Sequence, residues 1–268
     1  MAIETLGAPS GRLAAAGRRG AWLAVLVGGA AAYVVVLQVM VSTENVNFFP
    51  SLLLIGAITV PMAVLVFAEV SGRRIAAVAP WIVVTTAIVG GVIGTVTAGV
   101  LEYDTLRRLG TVPMVLVGII EEAAKLVVPL ALYLALRPRD PRGGVIVGVA
   151  SGMGFATLET MGYGFQALLS AHSIAAVDDT LLLRGLLSPA CHIAWTGMTV
   201  AMLWRIHTSP RPGRARALFV ATYLVAVGLH ATWDGSQSVP VHAVVAGVGL
   251  VALLVLIHRS RHDEPAVA

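Results

Sequence analysis

Apolar residues fall along this 268-residue chain in unbroken runs of about twenty, without the period-two alternation of half-buried strands. Eight runs stand out: 22–41, 52–69, 80–101, 113–136, 144–168, 185–206, 215–233 and 240–258. Each is long enough to cross about 30 Å of hydrocarbon at 1.5 Å per helical residue. The pattern predicts an all-α fold, a polytopic transmembrane bundle of about eight spans. A membrane barrel would show shorter, alternating segments instead.

Composition agrees. Hydrophobic residues make up 57% of the chain and charged ones 12%, about half the share usual in soluble domains. The mean hydropathy is +0.88. The formal net charge is +4, with a pI near 9.7. In a soluble protein that balance would raise nucleic acid as a partner. Here the arginines flank apolar runs, so the reading is no nucleic acid, but topology and contact with an anionic lipid bilayer. The single cysteine, Cys191, excludes an internal disulfide and leaves redox compartment uninformative.

Basic residues collect on alternate connections: Arg12, Arg18 and Arg19; Arg73 and Arg74; Arg137, Arg139 and Arg142; Arg205, Arg211, Arg214 and Arg216; Arg259 and Arg261. Between them, 42–50 and 234–239 carry no basic residue. The loop 102–112 is mixed, and the loop 169–184 has Asp178, Asp179 and one Arg184. The positive-inside rule then places both termini in the cytoplasm and the protein in the cell membrane. The first run is too long for a signal-peptide core and reads as an uncleaved span. The expected organisation is a basic tail at 1–21, one transmembrane domain at 22–258 with its core motifs at 118–240, and a tail at 259–268.

Polar residues inside the spans carry the information, because a charge at mid-bilayer costs several kcal/mol. Span four contains Glu121, Glu122 and Lys125; span five, Phe155 and Glu159; span six, His192; span seven, His230 and Asp234. At helical rise, Glu122 lies roughly 13 Å and His192 roughly 10 Å below the outer ends of their spans. Glu159 and His230 both lie roughly 22 Å up from the inner side. Four helices thus deliver polar groups to one layer in the outer half. Glu121 and Glu122 both fall within a turn of Lys125, and His230 and Asp234 are one turn apart and can face one point. Two imidazoles and several carboxylates suit a divalent metal such as zinc, which makes hydroxide available near neutral pH. A spare carboxylate serves as general base, and Lys125 holds a glutamate ionised or stabilises an oxyanion. That inventory fits hydrolysis of an amide inside the membrane.

Glu121-Glu122-Ala123-Ala124-Lys125, Phe155-Ala156-Thr157-Leu158-Glu159, the lone His192, and His230-Ala231-Thr232-Trp233-Asp234 stand in order on four consecutive spans. Together they resemble the PrsW family of intramembrane proteases, distantly related to the CAAX-processing and abortive-infection membrane proteases. The resemblance covers about 118–240. It implies a membrane-embedded metallopeptidase that cuts membrane-anchored proteins, such as an anti-sigma factor, near the outer face. In the related CAAX-type enzymes a glutamate-activated water without metal is the alternative. Carried over by position, Glu122 is the general base, Glu121 its neighbour or a ligand, and Lys125 the electrostatic partner. Glu159 joins the catalytic set, and His192, His230 and Asp234 form the metal set, with zinc as cofactor.

Plainer readings stand beside these. Glu121, Glu122 and Lys125 also suit a structural ion pair, and Asp234 a solvated helix end. Phe155 reads as packing. Cys191 points about 100° away from His192, which disfavours a thiol–imidazole pair. His242 is an outside candidate for the site, His172 reads as solvated, and His207, His258 and His262 belong to the inner segments. The competing functions are a proton-coupled transporter or ion pathway, and a non-catalytic relative that binds membrane proteins. All the buried polar groups lie in one half of the bilayer, which counts against a transport path.

Overall fold

The computed structural model describes residues 11–71, 78–137, 140–187 and 189–260. Arg73, Arg74, Arg139, Arg261 and His262, and the side chains of Arg12, Arg18 and Arg19, lie outside the described residues.

The described residues form helices and no strands. α1 spans Gly11–Thr43 and, after a short 3-10 turn at Val46–Phe48, α2 spans Phe49–Ser71. α3 (Pro80–Thr85) runs through a π turn at Thr86–Gly90 into α4 (Gly91–Leu109). α5 (Met114–Leu136) and α6 (Arg142–Ala171) follow. α7 (Ile174–Leu187) leads to a second π turn at Pro189–Ile193 and then α8 (Ala194–Thr208). α9 is Pro212–Gly235 and α10 Val239–Ser260. Seven stretches among the described residues are long and apolar enough to cross a membrane. α5 has the same 23-residue length as α2, but carries Glu121, Glu122 and Lys125 in its middle. With α5 included, the helices match the eight expected spans, and the chain is a multi-pass integral membrane protein.

Two expected loops are helical instead. Residues 102–109 continue α4, which ends at Gly110, where φ is +70° and only glycine enters without strain. Most of 169–184 belongs to the end of α6 and to α7, with the turn confined to His172 and Ser173. Charge hid α7 from a hydropathy reading. Its buried positions Val177, Leu181 and Gly185 recur every four residues and face α2 and α6. α1 likewise begins at Gly11, inside the expected tail, although its apolar part is Gly20–Thr43.

α6 is the central post. It packs against α2, α4, α5, α7 and α8, and its buried face is rich in glycine. Backbones approach closely there because no side chain intervenes. A β-carbon at Gly152 would lie 2.8 Å from the His192 carbonyl oxygen, and one at Gly154 would overlap the Ala87 carbonyl oxygen. Both carbonyls belong to π turns, whose wider winding pushes backbone outward. The second π turn carries His192, so the glycine face of α6 fixes where that imidazole enters the bundle. Outside the spans, Asp140 accepts hydrogen bonds from the backbone and side chain of Arg142 at the start of α6. Burial raises the Asp140 carboxyl, but these bonds outweigh it and hold the group below the usual carboxylate range.

Candidate active site

The expected polar residues meet at one point in the bundle. On α5, Glu121, Glu122 and Lys125 are all buried, as are His192 and, on α9, His230. Lys125 Nζ donates to Glu122 Oε1 at 2.8 Å and lies 3.3 Å from Glu121 Oε2. It also contacts His192 Nδ1 at 2.8 Å. His230 Nδ1 lies 2.9 Å from the same Glu122 Oε1, so one carboxylate oxygen ties α5 to α9. On its other side His230 Nε2 faces Glu121 Oε2 at 3.4 Å and Asp234 Oδ2 at 3.1 Å. His192 Nε2 faces Glu159 Oε2 at 3.0 Å. Every residue expected at the site is therefore in the cluster, from four helices.

Aromatic rings seal it. Trp195 is fully buried, with its ring 5.7 Å from that of His192 and 5.2 Å from that of His230. Phe155 does more than fill space, since its ring lies 4.3 Å from Lys125 Nζ and offers the ammonium a cation–π contact. Ser151 donates to the Lys125 carbonyl and pins α5 to α6. His242, by contrast, lies outside the cluster and contacts the Trp233 carbonyl oxygen at 2.9 Å. Cys191 packs in the apolar core, and His207 stacks on Tyr133.

Sequence reasoning missed two members. Arg184, read as a loop residue, reaches back from α7 to Glu159 Oε1 at 2.7 Å, and its guanidinium lies 3.8 Å from the Tyr163 ring centroid. Glu102, read as part of a mixed loop, sits on α4 within electrostatic range of Glu159, His230, Asp234 and Lys125. Its Oε1 is buried without a hydrogen-bond partner. The available signal for Arg184 was its isolation: a single cation in an otherwise apolar or acidic segment next to a span with an uncompensated glutamate.

Three observations fit the donor set to a divalent ion. First, one atom each from Glu121, His192 and His230 lie within 4.8 Å of one another, all in buried residues. Second, Glu121 Oε2 and His230 Nε2 are buried and make no hydrogen bond, although they lie close to other polar atoms of the cluster. Separations of 3.1 and 3.4 Å from His230 Nε2 resemble the edge of a tetrahedron around zinc, about 3.3 Å for bonds near 2 Å. Third, the carboxylates Glu121, Glu122, Glu159 and Asp234 face two cations, Lys125 and Arg184. With Glu102 nearby, carboxylates outnumber the cations, a surplus that favours binding a further cation. The ring contact with Lys125 decides how His192 takes part. An ammonium only donates, so here His192 Nδ1 accepts from Lys125 and Nε2–H points at Glu159 Oε2; the Nε2 lone pair would face a metal only with Lys125 displaced or neutral.

No curated protein and no solved structure gives a significant match to the chain. The family model of the PrsW family intramembrane metalloproteases matches residues 78–258, which takes in α3 to α10 and the whole cluster. The match covers more than half of the chain, and the chain belongs to the PrsW family of intramembrane metalloproteases.

Proposed function

We propose that this membrane-embedded protease hydrolyses a peptide bond of membrane-anchored proteins, near the outer face, at the Glu121–His192–His230 cluster. The observation that carries the reading is the convergence of those three donors from α5, the π turn and α9. Glu121, His192 and His230 would hold the metal, zinc by donor chemistry, with Asp234 beside His230. When bound, such an ion acidifies water and polarises the scissile carbonyl.

The chain's own residues supply the rest. Glu122 accepts from His230 Nδ1 and so turns the Nε2 lone pair toward the centre, the usual role of a carboxylate behind a ligating histidine. Because its Oε1 also accepts from Lys125, we assign Glu122 to positioning rather than to proton transfer. Glu159 is better placed as the base. Arg184 holds its Oε1, and its Oε2 faces the cluster 3.0 Å from His192 Nε2. In this scheme Glu159 takes the proton of the attacking water and returns it to the leaving amine. Lys125 lies against both Glu121 and Glu122 and offsets part of the cost of burying them.

The alternation of basic segments supports cytoplasmic termini and a cluster in the outer half. An anti-sigma-factor-like protein is the substrate class that the family resemblance favours.

The test uses purified protein in mild detergent. Bound metal is measured by elemental analysis, and a panel of single-span membrane proteins is tested for cleavage. Wild type should hold one zinc and cut at least one panel member. His230→Ala and His192→Ala should lose both metal and cleavage. Glu159→Gln should keep metal and lose about a thousandfold in rate, within the range of general-base effects. Cleavage that persists in metal-free wild type would move the enzyme to the glutamate-activated class. Full activity in Glu159→Gln with loss in Glu122→Gln would return the base to Glu122.

A further inference from the structure

Consecutive helices in a membrane bundle usually pack on one another, but α2 and the α3–α4 segment barely touch. Both lie against α6, and they leave a cavity of about 430 Å³ between them. One wall is α2 with Leu54, Ile58 and Met62; the other is α3–α4 with Val84, Ile88 and Val92. The floor is α6, from Met153 and Gly154 to Thr157 and Leu158. Leu54, Val84, Ile88 and Val92 are exposed large hydrophobics, so the cleft opens sideways toward lipid.

The floor sets its depth. Gly154 and Leu158 immediately precede Phe155 and Glu159, which face the cluster. Groove and active site therefore occupy the same turns of α6, on adjacent faces about 100° apart. α4 forms the wall between them. On α4, Val92 lines the groove, Gly94 abuts the Phe155 ring, and Glu102 lies within electrostatic range of the cluster. That wall is held to α6 by glycine contacts rather than by interlocked side chains. A β-carbon at Gly91 would lie 2.7 Å from the Gly154 carbonyl carbon, and one at Gly94 3.1 Å from the Phe155 ring. Below it, the helix is interrupted by the π turn Thr86–Gly90.

We infer that the cleft between α2 and α3–α4 is the lateral docking groove for the substrate's apolar membrane anchor, and that α4 is the wall across which the chain passes to the cluster. The inference rests on the peptidase reading, which requires a helical, apolar occupant delivered from the bilayer plane. Continuity with Glu159 along α6 distinguishes this cleft from the cavity lined by Tyr33, Asp178 and Leu181, which α1, α2 and α7 enclose.

The first test needs no activity. A photo-crosslinking amino acid is placed at Ile58, Val84 or Ile88, with Val244 on the exposed face of α10 as reference, and the protein is reconstituted in phosphatidylcholine vesicles. The probe is a biotinylated Leu/Ala transmembrane peptide of about 20 residues. Adducts at the three groove positions should exceed those at Val244 at least fivefold; equal labelling overturns the docking groove. The second test uses Val84→Trp with Ile88→Trp to fill the cleft. Cleavage of a single-span protein that the wild type cuts should fall at least tenfold relative to cleavage of a soluble peptide bearing the same scissile sequence. Val244→Trp with Val248→Trp should leave that ratio unchanged. A proportional loss on both substrates overturns the groove, whereas a wild type that cuts neither substrate overturns the peptidase reading and leaves the labelling result to decide the groove.

Discussion

α1 and α6 are the two longest helices, 33 and 30 residues, and they invert the rule of soluble proteins. The apolar window of α1 has a mean hydropathy of 2.2, yet only 6% of it is buried in protein. That of α6 has a mean hydropathy of 1.3, and 78% of it is buried. Lipid is as apolar as a leucine side chain, so nothing drives a strongly hydrophobic helix to the centre. What belongs at the centre is what lipid cannot solvate, together with the small residues that allow close packing. α6 supplies both, with Glu159 and with the glycines that meet the two π turns. α1 supplies a lipid-facing cover.

The sharpest way to break this comparison is to unbalance the interior. Lys125→Met keeps most of the volume but strips the cation from buried Glu121 and Glu122. Removing one partner of a buried pair costs about 3–5 kcal/mol, and the loss should appear as a lowered midpoint in detergent unfolding. Adding Glu122→Gln should recover a large part of it, since the uncompensated charge leaves with the carboxylate. A single variant that unfolds like wild type would mean that the cluster is solvated after all.

Next in size is the glycine contrast. Gly154→Val forces a side chain into the Ala87 carbonyl and should cost about 3 kcal/mol through overpacking. Gly28→Val on α1 meets nothing within 4 Å and should stay within about 0.5 kcal/mol. Equal losses at the two positions would show α1 to be packed as tightly as α6.

The membrane class, the spans and the cluster residues were legible in the sequence because ionisable side chains stand out in apolar runs. Glu121, Glu122, Lys125, Glu159, His192 and His230 each interrupt a stretch that otherwise matches lipid. The same logic fails where the background is already polar. Arg184 and Glu102 lie in segments with charged neighbours, so they read as loop residues, and α7 disappeared with them. Division of labour within the cluster also escaped. Adjacent Glu121 and Glu122 are expected to differ, but only the folded bundle reveals that Glu122 Oε1 is used twice while Glu121 Oε2 makes no hydrogen bond. Neither π turn leaves a mark on hydropathy, although one of them positions His192.

The smallest effect tests α1 itself. Tyr33 on α1 donates to Asp178 Oδ1 on α7 at 2.6 Å, and α7 also carries Arg184, the partner of Glu159. Tyr33→Phe removes that donor while leaving the ring in place. A hydrogen bond to a charged, part-buried acceptor contributes about 1.5 kcal/mol, so the unfolding midpoint should fall modestly. If α1 is only a cover, the rate of cleavage per folded molecule should change by less than about twofold, equivalent to a few tenths of a kcal/mol in the barrier. A tenfold loss, with the metal content unchanged, would mean that α1 sets the position of α7 and, through Arg184, the carboxylate of Glu159. The most lipid-exposed helix would then belong to the active machinery, and burial alone would no longer separate the two regions.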